Sequence, residues 1–211
     1  MSGQEELKPL ISLVPPGHTE AGPVDWRATE EALGTGLPSD YKAFMSVYGA
    51  GNIGDLVILG PLPVDYPQWD PGSILDDTPE FRLLWEEDGG VPGITADSSA
   101  VLPWGVGCNA NHLGWLTLAP DPDEWPVVAW RRQVAFGDSE WKLFDCSMVG
   151  FLTKMMRAEF DECPLGDTSL WGRTAPFVHW RERQRRWLAG RSPKTGEPDP
   201  VVQDFLTRPA P

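Results

Sequence analysis

The chain's 211 residues, 41% of them hydrophobic, allow one core with extensions, and 22 glycines with 22 prolines exclude a long helical bundle. A net charge of −14 argues against nucleic-acid binding, although six Arg and one Glu between Trp171 and Arg191 make a local +5, leaving −19 on the rest. Three widely spaced Cys exclude a disulfide scaffold, no apolar run approaches the roughly 18 residues of a membrane span, and Met1 to Glu6 lacks a leader's basic region, so a cytoplasmic location is expected.

Residues 1–23 are polar and broken by Pro9, Pro15, Pro16 and Pro23, an N-terminal extension in which only Leu10 to Val14 reads as a strand or docking segment. Val24 to Leu33 is a first helix, with Trp26, Ala28 or Thr29, and Leu33 facing inward. Gly34 and Gly36 end it, since glycine takes a positive φ at little cost. Pro38 restarts the chain at the first helical position or just ahead of a Ser39 cap. Tyr41, Phe44, Met45 and Tyr48 (or Val47) then recur at spacings of three and four, one apolar stripe that buries Phe44 above Leu37. Gly49 to Gly51 stops this second helix, and Leu56 to Leu59 is a short strand.

A loop over 64–78 carries Asp76 and Asp77. Thr78 caps the next helix, with Pro79 at its first position, Phe81, Leu84 and Trp85 buried, and a stop at Gly89-Gly90. Glu86, Glu87 and Asp88 fall at the negative end of that helix dipole, a cost relieved by solvent or by a basic partner. Val101-Leu102, Leu113 to Leu118, Val127 to Arg131 and Trp141 to Phe144 are β-type runs. Alternation puts Leu116 and Leu118 on one face and Trp115 and Thr117 on the other. Asp121-Pro122-Asp123-Glu124 is a turn, and Met148 to Phe160 is a helix lying back on the sheet.

Residues 161–191 are a linker followed by a basic helix, Pro176 to Ala189. Phe177, Trp180, Trp187 and Leu188 share its apolar stripe, and the arginines between 181 and 186 face elsewhere. Such a helix suits an anionic surface, and the chain's own acidic body offers one. Residues 192–211, with five Pro, read as a tail. The expected fold is α+β: N-terminal helices and a C-terminal helix packed on about five or six short, mostly antiparallel strands.

Leu33-Gly34-Thr35-Gly36-Leu37-Pro38-Ser39-Asp40-Tyr41, then Phe44 and Tyr48-Gly49-Ala50-Gly51, resembles the N-terminal signature of the SUKH superfamily. Leu102-Pro103-Trp104 with Gly107 to Trp115, Trp125-Pro126-Val127, and Phe144-Asp145-Cys146-Ser147 through Phe160 resemble its later segments, so the domain spans 24–160. The resemblance assigns family-motif positions to Leu33, Gly36, Leu37, Pro38, Tyr41, Phe44, Gly49, Gly51, Trp104, Asn109 and Trp115. Cys108 and Ala110 depart from it, standing where glycines are usual. It implies an immunity protein that neutralises a toxin, such as a nuclease, by direct binding, or else a regulatory or scaffold module of the cell-wall-assembly-regulator type.

Catalytic chemistry is not expected. His18, His112 and His179 are scattered, and Cys108 and His112, four apart in a Gly/Asn turn, lack further metal ligands. Cys146 and Cys163 have no neighbours at zinc spacing, and no phosphate loop, metalloprotease His pair or nucleophile elbow occurs. No metal and no cofactor are therefore expected. The expected partner is a protein with a basic surface, met by Asp76, Asp77, Glu86, Glu87, Asp88, Asp121, Asp123 and Glu124, although acidic surfaces also serve solubility alone.

Overall fold

The computed structural model describes residues 3–17, 21–64, 71–166 and 169–207; His18 and part of the loop expected at 64–78 lie outside them. The helices are α1 (Gly3–Leu13), α2 (Trp26–Leu33), α3 (Ser39–Val47), α4 (Ile74–Asp88), α5 (Met148–Met156), α6 (Trp180–Leu188) and α7 (Pro200–Thr207). The strands are β1 (Gly51–Ile53), β2 (Leu56–Ile58), β3 (Val101–Val106), β4 (His112–Leu116), β5 (Val127–Trp130), β6 (Trp141–Phe144) and β7 (Phe177–His179). They form one antiparallel sheet in the order β6-β5-β4-β3-β2-β1-β7. The α+β class stands, with seven strands rather than five or six among the described residues.

The period of two along each strand divides the apolar side chains between two faces. Leu102, Trp104, Leu113, Trp115, Val127 and Ala129 join the main core, together with Leu7 and Leu10 of α1, Tyr41 and Phe44 of α3, and the apolar face of α5. Val101, Leu116, Val128 and Trp141 form a second core beneath Phe81 and Trp85 of α4. Trp104, Trp115 and Trp141 are fully buried, so tryptophan fills both layers. Gly114 lets α4 approach the sheet: a Cβ there would sit 2.6 Å from the Leu102 carbonyl and against the Phe81 ring. Gly114→Ala should therefore cost about 1–3 kcal/mol in chemical denaturation, since neither the backbone nor the buried ring can retreat freely.

Four expectations are corrected. Leu10 to Val14 docks on the body, but as helix and not as strand: α1 runs through Pro9, and Leu7, Leu10 and Val14 form one buried stripe against α3 and α5. Tertiary burial here outweighs the missing proline N–H. Next, α4 starts at Ile74 rather than after Thr78. Its cap is Ser73, whose hydroxyl accepts from the Asp76 N–H at 3.0 Å and donates to the Asp76 carboxylate at 2.7 Å. Asp76 and Asp77 thus occupy the favourable positive end of the dipole, not a loop, and Pro79 lies inside the helix.

The other two corrections concern the C-terminal segment. Phe177 to His179 is an edge strand on β1, and the helix begins only at Trp180. Residues 192–207 are more than a tail, because Asp199 caps α7, Val202 is buried, and Phe205 meets Trp187 with ring centroids 5.4 Å apart. The basic helix is thereby docked, through strand pairing at its start and the buried Trp180 and Gln184. Arg185 and Arg186 pair with Glu182 on their own helix, and Lys194 pairs with Asp55 at 2.6 Å.

Candidate functional site

Helix α3 begins with backbone donors that its N-cap residue leaves unsatisfied. Pro38, at the N-cap position with φ −57° and ψ 143°, makes no side-chain cap. The Ser39 N–H instead donates to Asp123 Oδ1 at 2.6 Å, across 84 residues of sequence. The Tyr41 N–H donates to Asp40 Oδ1 at 2.7 Å, and Asp40 Oδ2 accepts the Val149 N–H of α5 at 2.8 Å. One buried carboxylate therefore holds the starts of two helices. Ser147 caps α5 by accepting from the Gly150 N–H at 3.1 Å, and its hydroxyl donates to Glu6 of α1.

These contacts bring Glu6, Asp40 and Asp123 to one cleft of about 310 Å³, lined also by Pro38, Ser147 and Trp115. None of the three carboxylates forms an ion pair among the described residues. Burial pushes Asp40 up to about 6; the Val149 N–H opposes that rise and the Glu6 charge adds to it. Lys42, on the same helix, is engaged elsewhere: it pairs with Glu30 at 2.5 Å, and that hydrogen bond holds the Glu30 carboxyl below its usual range. Trp115 forms the cleft's apolar wall, with its ring 5.4 Å from Tyr41 and 6.5 Å from Trp125. The arrangement suits a cation with an apolar stem, such as a lysine or arginine side chain.

Of the eight acidic residues singled out in the sequence, Asp123 alone lines this cleft. Asp76 and Asp77 start α4, and Glu86, Glu87 and Asp88 end it. At 1.5 Å per residue those two groups stand about 16 Å apart, on the other face of the sheet. Several of the eight have structural work: Glu86 accepts from the Ser98 hydroxyl at 2.5 Å, Asp88 from Trp130 Nε1 at 2.6 Å, and Asp121 from the Asp123 N–H at 3.0 Å. Glu87 and Glu124 are exposed. Sequence reasoning missed Glu6 and Asp40; the Pro-x-Asp-Tyr order at a helix start was the available signal for Asp40, and Glu6 had none.

The motif positions are chiefly architectural. Leu37, Pro38, Tyr41, Phe44, Trp104 and Trp115 are buried, and Leu33 is half-buried. Gly36 abuts the Pro122 ring, Gly49 has φ +70° beside the His179 ring, and a Cβ on Gly51 would meet the Val178 carbonyl at 2.5 Å. Asn109 is exposed in the β3–β4 turn, where Ala110 takes φ +56° in place of the usual glycine. The buried Asn111 ties that turn down, donating to the Leu165 carbonyl at 2.8 Å and accepting from the Arg132 N–H at 3.0 Å.

Among the described residues no helix is long and apolar enough to cross a membrane, and no three His, Cys, Asp or Glu residues are grouped to hold a metal ion. Comparison with curated proteins and with solved structures finds no match for this chain. The model of the SMI1 / KNR4 family (SUKH-1) matches residues 20–154, which include α3, Asp40, Trp115 and Asp123. With the match covering well over half of its length, the chain belongs to the SMI1 / KNR4 family (SUKH-1).

Proposed function

We propose that this chain is an immunity-type protein that neutralises a toxin by direct binding in the cytoplasm, taking a basic side chain of its partner into the cleft at the start of α3. The observation that carries this reading is the convergence of Glu6, Asp40 and Asp123 at one cleft, with no ion pair to any of them among the described residues. Family membership and the net charge of −14 support it. A nuclease has to be basic where it holds phosphates, so a toxin of that class presents complementary charge. The chain acts by occupying the partner's surface rather than by catalysis.

The test is association kinetics with the product of the neighbouring gene, at low and high salt. Glu6→Gln with Asp123→Asn removes two charges while keeping oxygen acceptors in place. Capture should slow by about tenfold and lose most of its salt dependence. Neutralising Asp76 and Asp77, or Glu86, Glu87 and Asp88, should change the rate far less. Capture indifferent to salt and to every one of these changes would favour the regulatory or scaffold module, binding through an apolar contact.

A further inference from the structure

The C-terminal segment closes a second cavity, of about 540 Å³, over the β1–β2 turn. Only Gly54 and Asp55 of its lining lie within the family-matched region; the rest comes from residues 169–195. Gly54, at φ +57°, turns the hairpin so that Asp55 faces the segment and pairs with Lys194 at 2.6 Å. Arg186 is also satisfied, by Glu182 at 2.9 Å and the Lys194 carbonyl at 3.1 Å. Arg173 and Arg183 differ. Neither has a carboxylate within ion-pair distance among the described residues, and both line the cavity.

Arg183 is half-buried. Burial lowers its pKa, Asp55 opposes that, and Arg186 adds to it, so a desolvated cation faces the cavity with incomplete compensation. Two guanidinium forks with no carboxylate in ion-pair contact among the described residues suit one doubly charged, oxygen-rich anion, because each can donate two parallel hydrogen bonds. A phosphomonoester supplies about −1.5 to −2 charge at neutral pH in that geometry. Ala175, Pro176 and Val178 give the cavity an apolar side for an organic group, and the Thr174 hydroxyl adds a polar one. The volume falls within the range of about 300–1,000 Å³ typical of small-molecule sites.

We infer that this cavity binds a small phosphomonoester, of nucleoside-monophosphate size, with its phosphate between Arg173 and Arg183. The site is independent of the acidic cleft, so a partner protein and a phosphorylated small molecule can be bound together. Calorimetric titration of the full chain with adenosine 5′-monophosphate, inorganic phosphate and adenosine tests this. The monophosphate should bind at sub-millimolar concentration, phosphate more weakly, and adenosine not at all.

Arg173→Glu alters an exposed side chain and Arg183→Gln a half-buried one; each should weaken binding by about tenfold or more. If Arg183→Gln fails to fold, Arg173→Glu decides alone. No heat with the monophosphate up to about 10 mM, or binding unaffected by Arg173→Glu, would overturn the inference. So would co-sedimentation with phosphatidic-acid vesicles without binding of the monophosphate, which would point to a lipid headgroup.

Discussion

Phe44→Ala will lower the free energy of unfolding by about 3–5 kcal/mol, the cost of deleting a fully buried phenyl ring and leaving its cavity unfilled. The ring sits where three parts of the chain meet. It packs on Tyr48 of its own helix turn at 4.6 Å between centroids, and edge-on to Phe177 of β7 at 5.9 Å. Tyr48 in turn donates its hydroxyl to the Val14 carbonyl at 2.7 Å, tying in the end of α1. Because Phe177 loses a partner too, the loss should be accompanied by earlier proteolysis between residues 161 and 191. Chemical denaturation measures the first effect, and a change below about 1 kcal/mol would place the ring outside the core.

Asp40 makes stability depend on pH in an unusual direction for a carboxylate. Its folded pKa is about 6, against an ordinary 3.8, so between those values the folded chain holds a proton that the unfolded chain releases. The resulting stabilisation is fully present below pH 3.8 and is lost as pH rises through 6. At about 1.36 kcal/mol per pH unit the full swing is about 3 kcal/mol. Asp40→Asn removes that swing, though it also loses one of the two acceptor oxygens and so lowers stability at every pH. Urea denaturation between pH 3 and pH 7 should show the wild type losing about 3 kcal/mol relative to the variant across that range. Parallel curves would mean that Asp40 titrates normally. A cation entering the cleft would pull the same pKa down, so capture of a basic partner should tighten as pH rises through 6.

What the sequence made legible was local. The αL stops at Gly34 (φ 71°) and Gly89 (φ 76°), the buried stripe of Tyr41 and Phe44, and the limits of β6 all follow from spacing and glycine placement. Trp115 and Leu116 divide between the two faces as alternation requires, although Leu118 falls beyond the end of β4 and is exposed. What was not legible depended on distant partners. The Asp40–Val149 bond spans 109 residues and the Ser147–Glu6 bond 141, so local sequence marks Asp40 only as a helix-start residue and Glu6 not at all. Proline counting misled at Pro9 and Pro79, because both helices gain enough from burial to accept an interior proline. In Phe177 to Leu188 a helical spacing of aromatics concealed a strand, since Phe177 and Trp180 are three apart in either conformation.

Pairing of β7 with β1 also decides which strand forms the rim of the sheet. Without residues 177–179, the three residues of β1 would present unpaired N–H and C=O groups along a solvent-facing rim, a template for any extended peptide or for a second sheet. The chain supplies its own final strand there from outside the family-matched region, so the rim on that side is the short, three-residue β7 instead of β1. Its opposite rim, β6, carries Lys142, whose salt bridge to Glu162 sets a charged pair beside the free edge.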